Sequence, residues 1–98
     1  MRTNDRQIDV LATVGLWAHE TFPSWSNKGI IKHIGKELDE LRADPASGEE
    51  MADIVILLCH LAHEHGVNLM DAIIAKHVVN KHRTWQAPDA DGVVEHVR

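Results

Sequence analysis

The stretch Lys36-Glu-Leu-Asp-Glu-Leu-Arg-Ala-Asp-Pro-Ala-Ser-Gly-Glu-Glu-Met-Ala-Asp-Ile54 decides how this chain folds. It holds two acidic pairs, Glu37-x-x-Glu40 and Glu50-x-x-Asp53, separated by the turn and cap residues Asp44-Pro45 and Ser47-Gly48. Residues three apart on an α-helix are neighbours on one face, so each pair presents two carboxylates to one point. So short a connection makes the two helices antiparallel neighbours, which lets the pairs face each other. Four converging carboxylates need cations, and oxygen-only ligands suit magnesium or manganese, whereas zinc draws on His or Cys. The alternative is a solvated acidic face in which Glu50 closes a capping box by reaching back to the Ser47 backbone N–H. Under that alternative Glu50 matters to folding alone.

Working outward, hydrophobic spacing predicts four helices and neither a strand nor an internal repeat. The first is expected from about Asp5 to Glu20, with Ile8, Leu11, Ala12, Gly15 and Leu16 at helical spacing and Thr21-Phe-Pro-Ser24 as its stop. A second begins near Asn27, with Ile30, Ile31, Ile34, Leu38 and Leu41 on one side and Glu37 and Glu40 toward the edge of that side. Gly35 inside it costs about 1 kcal/mol relative to Ala, which points to close packing or backbone approach. The third, about Gly48 to His65, is apolar all round through Ile54-Val-Ile-Leu-Leu-Cys59, a pattern that fits burial on every side. A fourth starts at an Asn68 cap with Asp71 three on, and is expected to pack Leu69, Ile73, Ile74, Val78 and Val79. From Gln86 onward, Ala-Pro-Asp-Ala-Asp-Gly reads as a turn and tail. A lone four-helix chain leaves part of the third helix wet, so that helix is expected to be central and to lie at a homo-oligomer interface.

Downstream, in the run Ala72 to Trp85, Lys76, Asn80 and Arg83 fall at spacings of four and three and line two cations and an amide along one stripe. Such a stripe holds phosphates, or else is a solvated face complementing a helix dipole. An acidic cage and a basic stripe together make a site for a metal-complexed polyphosphate. The chain has neither a G-x-x-x-x-G-K-[ST] loop nor a Rossmann glycine pattern, so a nucleotide must be held through metal and side chains. His60-Leu-Ala-His63-Glu-His65 fits neither H-E-x-x-H nor H-x-x-E-H, and the E-x-x-H pair of a di-iron bundle is absent. Trp17 and Trp85 read as packing residues. Trp25 sits in the loop before the metal helix, where a base can stack with Phe22 or His33 nearby.

Ninety-eight residues make one domain, small enough to benefit from a partner chain. A net charge of −5 argues against nucleic-acid binding. The single Cys59, in an apolar stretch, reads as a core residue in a reducing compartment. The N-terminus lacks the apolar region of a signal peptide and no apolar run approaches a membrane span, so the expected setting is the cytoplasm of a bacterium or of a phage-infected cell.

These segments resemble the all-α nucleoside triphosphate pyrophosphohydrolases of the MazG-like superfamily, whose signature is E-x-x-E followed by E-x-x-D. Here these are Lys36-Glu-Leu-Asp-Glu-Leu41 and Glu49-Glu-Met-Ala-Asp-Ile54, and Lys76-His-Val-Val-Asn-Lys-His-Arg-Thr-Trp85 looks like the Lys/Asn/Arg segment that follows. The similarity is closest to the dATP/dGTP pyrophosphohydrolase-like subgroup, often phage-encoded. Trp17, His33-Ile-Gly-Lys-Glu37 and Gly92-Val-Val-Glu-His-Val-Arg98 carry that narrower match, which runs from about Trp17 to the C-terminus. The resemblance implies an all-α, four-helix MazG-like bundle completed as a homodimer or homotetramer, one domain over 1–98 with tails at 1–4 and 86–98. It implies an enzyme that hydrolyses a (deoxy)nucleoside triphosphate, dATP or dGTP, to the monophosphate and pyrophosphate. Glu37, Glu40, Glu50 and Asp53 would hold two or three magnesium or manganese ions, with Glu40 the candidate to take the proton. Lys76, Asn80 and Arg83 would hold the phosphates, and Trp25 and His33 would contact the base. The competing reading is a non-catalytic helical oligomer that binds nucleotide or a protein partner.

Overall fold

The computed structural model describes residues 9–98 and contains four helices, α1 (Val10–Thr21), α2 (Asn27–Ala43), α3 (Gly48–Glu64) and α4 (Leu69–Lys81). Each starts at a side chain that accepts from a backbone N–H three residues on: Asp9 from Ala12, Ser26 from Gly29, Ser47 from Glu50 and Asn68 from Asp71. Caps of this kind contribute about 1 kcal/mol each and set where each helix begins. The expected start near Asp5, and Ile8 with it, lie outside the described residues. After α3 the chain turns at Gly66, whose φ of +66° is open to glycine, while the Val67 N–H closes back onto the Ala62 carbonyl at 2.8 Å.

As expected, α3 is central, packing against α1 and against α2. The α1 face that meets it is Leu11, Val14, Gly15 and Ala18; Ala12 and Leu16, expected on this face, are exposed. The reason is size. A Cβ on Gly15 would sit 2.7 Å from the Cys59 carbonyl oxygen and 3.1 Å from the His63 Cβ, so the two backbones cross where the side chains are smallest. The inward row of α2 is Ile30, Ile34, Glu37 and Leu41, at spacings of four, three and four, while Ile31 and Leu38 are exposed. Glu37 therefore stands within the inward row rather than at its edge. The close approach expected at Gly35 is not made, since nothing lies within 4 Å of where its Cβ would be.

Helix α4 touches α1 and keeps most of its surface bare: Ile73, Ile74, Val78 and Val79 are each about half exposed, so their expected packing does not occur within one chain. On α3, Met51, Val55 and Leu58 are also exposed, and the buried apolar residues among those described are Ala18, Ile30 and Cys59. The radius of gyration is 16.2 Å. A compact chain of this length has a radius of roughly 13 Å. The expected tail is a closed loop: Trp85 and His96 form an antiparallel bridge, with Gln86 N donating to Glu95 O at 2.8 Å and Val97 N to Thr84 O at 2.7 Å. Since α4 ends at Lys81, Arg83 lies just beyond the helix that was expected to carry it.

Candidate active site

Because α2 and α3 are joined by a four-residue turn and pack side by side, the second half of α2 faces the first half of α3. One carboxylate oxygen from each of Glu37, Glu40 and Glu50 lies within 4.8 Å of the others. Glu37 Oε1 takes a hydrogen bond from His33 Nε2 at 3.1 Å, four residues earlier on the same helix, and this fixes the direction of the carboxylate. Its other oxygen, Oε2, is buried and has no partner among the described residues, and the same holds for Glu50 Oε2. Orphaned carboxylate oxygens in a cluster this tight fit hard divalent cations.

The capping-box alternative for Glu50 fails on geometry. Ser47 Oγ does accept from the Glu50 backbone N–H at 3.2 Å, but the Ser47 N–H donates to the Asp44 carbonyl at 3.0 Å. The Glu50 carboxyl is turned into the acidic cluster instead. There it is pushed up to about 7, chiefly by sharing hydrogen bonds with Glu40 and Glu37, with burial and their charges adding. Glu40 is held below its ordinary value by the side-chain hydrogen bonding it shares with Glu50 first and then with Glu37. Three like charges this close cannot all ionise without cost, and one proton is retained.

That proton gives a pH signature. Glu50 binds it more tightly folded than unfolded, so the metal-free protein loses stability from this group as pH rises from its ordinary 4.5 through about 7. Glu40 and Glu64, whose values are lowered, lose their contributions below 4.5, outside that window. A divalent cation bound at this cluster would take the proton's place. Calorimetry in EDTA is expected to give a lower melting temperature at pH 8 than at pH 5, and added Mn2+ is expected to raise it more at pH 8. Equal gains at both values would sink the assignment of a shared proton.

Asp53 is exposed and lies outside the three-carboxylate cluster, but with Glu37 and His33 it lines a cavity of about 700 Å3, which Glu37 joins to the cluster. A volume of this order suits a small organic ligand. The walls are largely apolar and aromatic, formed by Trp17, Phe22, Trp25, Ile30, Ile56 and Leu57, with His60, Thr21, Ser24 and Ser26 among them. The Trp17 and Phe22 rings meet edge to face at 5.6 Å. Trp25 and His33, the expected base contacts, thus border the cavity that opens on the acidic cluster.

The basic stripe is not assembled with them. Lys76, Asn80 and Arg83 do not line the cavity, and among the described residues no ion pair joins Lys76 or Arg83 to Glu37, Glu40, Glu50 or Asp53. Lys76 is exposed, while Arg83 Nη1 donates to Asn80 Oδ1 at 3.3 Å and approaches His96 Nδ1 at 3.5 Å. The His60 to His65 run forms no metal-ligating cluster among the described residues, for His60 bonds to Glu64, and His65 to Asn27. Trp17, read as a packing residue, is half exposed and lines the cavity, and sequence reasoning missed His60, Ile56 and Leu57 there. The signal was there, since they follow Asp53 on one helix face at i+3, i+4 and i+7. Cys59 is buried, and burial pushes its thiol up, as suits a core residue.

The relatives of this chain are viral enzymes. The dATP/dGTP diphosphohydrolase of Salmonella phage PMBT28 is 36% identical over 90 residues, which is 91% of this chain and 31% of that protein, so the chain spans about a third of that relative's length. The dATP/dGTP diphosphohydrolase of Cyanophage S-2L is 32% identical over 91 residues, 91% of this chain and 86% of that one. The fold matches that of the Cyanophage S-2L MazG-like pyrophosphohydrolase bound to dGDP and three catalytic Mn2+ ions per active site. The TM-score is 0.73, at 32% identity over 91% of this chain and 89% of the other. The model of the dATP/dGTP pyrophosphohydrolase family matches residues 10–98, so the four helices, the acidic cluster and the closing loop all fall inside the match, and the chain belongs to that family.

Proposed function

We propose that this protein hydrolyses dATP or dGTP between the α and β phosphates, giving the monophosphate and pyrophosphate and so editing a nucleotide pool. The observation that carries this reading is the junction of three converged carboxylates, two of them with buried orphan oxygens, with an aromatic cavity of about 700 Å3. It is supported by the family match, by the names of the phage relatives and by the dGDP and Mn2+ bound in the structural neighbour.

In this reading Glu37, Glu40, Glu50 and Asp53 hold two or three Mg2+ or Mn2+ ions. When bound, the ions offset phosphate charge and supply the Lewis acidity that makes water a nucleophile near neutral pH. His33 keeps the Glu37 carboxylate aimed at the cluster. Glu50 gives up its retained proton on loading. Glu40, exposed and held ionised, is the carboxylate available to accept the water's proton. The base enters the cavity and stacks on Trp25, which leaves the phosphates at the acidic mouth and excludes water from one side of the nucleotide.

Lys76, Asn80 and Arg83 are the phosphate-positioning set, and a second copy supplies what one chain leaves open. The bare apolar faces of α3 and α4 and the extended shape support a homodimer or homotetramer built on them. Light scattering behind gel filtration is expected to give two or four times 11.0 kDa, and a mass of one chain would sink this assembly. The whole of 1–98 acts as one domain in this reading, in the cytoplasm of a bacterium or of a phage-infected cell. The net charge of −5 disfavours nucleic acid as a partner, and no described helix is long and apolar enough to cross a membrane.

The test is incubation with the four dNTPs and four NTPs, with and without Mg2+ or Mn2+, resolving mono- and diphosphate and pyrophosphate. Metal-dependent monophosphate plus pyrophosphate from dATP or dGTP is expected. No turnover of any nucleotide would favour the non-catalytic oligomer instead.

A further inference from the structure

His19, His60 and Glu64 have no part in the mechanism above, yet they form a network beside the cavity. His60 is 4% exposed, and the side chain of Glu64 is 6% exposed. The His60 Nε2 lies 3.0 Å from Glu64 Oε2, and the same oxygen takes His19 Nδ1 at 2.8 Å from the neighbouring helix α1. Burial raises the Glu64 carboxyl, but hydrogen bonds and charges from His19 and His60 outweigh it and hold the group below its ordinary range, so Glu64 is ionised near neutral pH. A carboxylate can only accept, so Nε2 carries a proton, and in the neutral ring Nδ1 is left as an acceptor. No described residue bonds to Nδ1. The ring forms part of the cavity wall, with Phe22 at 6.0 Å and Trp25 at 6.3 Å between centroids. Nδ1 is not among the fully buried unpartnered atoms of the described residues, so it is open to water or to a ligand, and a ligand N–H that replaces water there keeps the hydrogen bond.

We propose that His60, held by Glu64, is the specificity-determining residue of this cavity, its Nδ1 accepting a hydrogen bond from the Watson–Crick edge of a purine stacked on Trp25. The inference rests on the reading of the cavity as the nucleobase site and deepens it. Adenine presents an N6–H on that edge and guanine an N1–H, whereas unsubstituted purine presents none. Ile56 and Leu57, the α3 neighbours of His60 in the wall, contribute no polar group, and the other polar side chains of the lining are Thr21, Ser24 and Ser26, on the α1–α2 side, and His33, Glu37 and Asp53. His60 is therefore the polar side chain that the apolar stretch of α3 offers to a base.

The experiment is calorimetric titration of the full chain with dAMP, dGMP and the 2′-deoxynucleoside monophosphate of unsubstituted purine, which needs no turnover. Wild-type protein is expected to bind the better of dAMP and dGMP about tenfold or more tightly than the unsubstituted purine, since the latter displaces water from Nδ1 without offering it an N–H. In His60→Phe the ratio is expected to fall toward one, and His60→Leu carries the same expectation where His60→Phe does not fold. Equal wild-type affinities, or a ratio undiminished in a folded variant, overturn the role of His60 and leave the cavity reading standing. No binding of any of the three overturns the cavity reading and the proposal together.

Discussion

Glu50→Gln is expected to lower kcat by about 100- to 1,000-fold, the range seen when one preorganised charge-stabilising group is removed from an active site. It is also expected to raise the melting temperature of the metal-free protein at pH 8. The two effects have one cause. Glu50 is the carboxyl whose ionisation is resisted by Glu40 and Glu37, so a neutral amide relieves repulsion in the absence of metal and removes a ligand in its presence. The helix cap is untouched, because the bond that caps α3 runs from the backbone N–H of residue 50 to Ser47 Oγ. Were Glu50 a capping residue alone, the variant would melt earlier and turn over normally. Steady-state kinetics beside calorimetry separate the two outcomes, and normal turnover would end the catalytic assignment.

Gly15→Ala is expected to destabilise the fold by about 1 to 3 kcal/mol, as overpacking of a close contact does. Its methyl group would meet the Cys59 carbonyl oxygen at 2.7 Å, and backbone on a central helix cannot rotate away as a side chain can. The helices must separate instead, which moves Trp17 and Ala18 on α1 away from Leu57 and His60 on α3, so KM for the nucleotide is expected to rise as well. Gly35→Ala has the opposite sign. Nothing lies within 4 Å of its added methyl group, and removing glycine from a helix interior gains roughly 0.5 to 1 kcal/mol. Denaturant titrations of the two variants measure both effects, and a pair of equal shifts would contradict the placement of α1 on α3.

The acidic pairs were legible because helical spacing is a local property. Glu37 to Glu40 and Glu50 to Asp53 share faces whatever the rest of the chain does, and the Asp44 to Ser47 turn is short enough to impose a neighbour. The caps at Ser26, Ser47 and Asn68 are local for the same reason. Rotation of each helix about its axis is not local. Hydrophobicity placed Leu16, Ile31 and Leu38 inward, yet the inward rows are those that let α1, α2 and α3 approach, and these favour Gly15, Ala18 and even Glu37 over larger apolar residues. The two glycines show the same limit. A mid-helix glycine announces permissiveness, and only the packing partner says whether that freedom is used, as at Gly15, or left open, as at Gly35.

From sequence alone came the all-α class, the four helices, the hairpin of α2 and α3 and the spacing of the acidic residues, since each depends on residues a few positions apart. Tertiary structure alone decided that Glu50 turns to the cluster rather than to its cap, and that His60 joins Trp25 and Phe22 at one cavity. It also decided that Lys76, Asn80 and Arg83 stay out of the lining of the cavity within one chain. Those are relations between elements, fixed by which helix faces can come close, and no spacing along the chain encodes them.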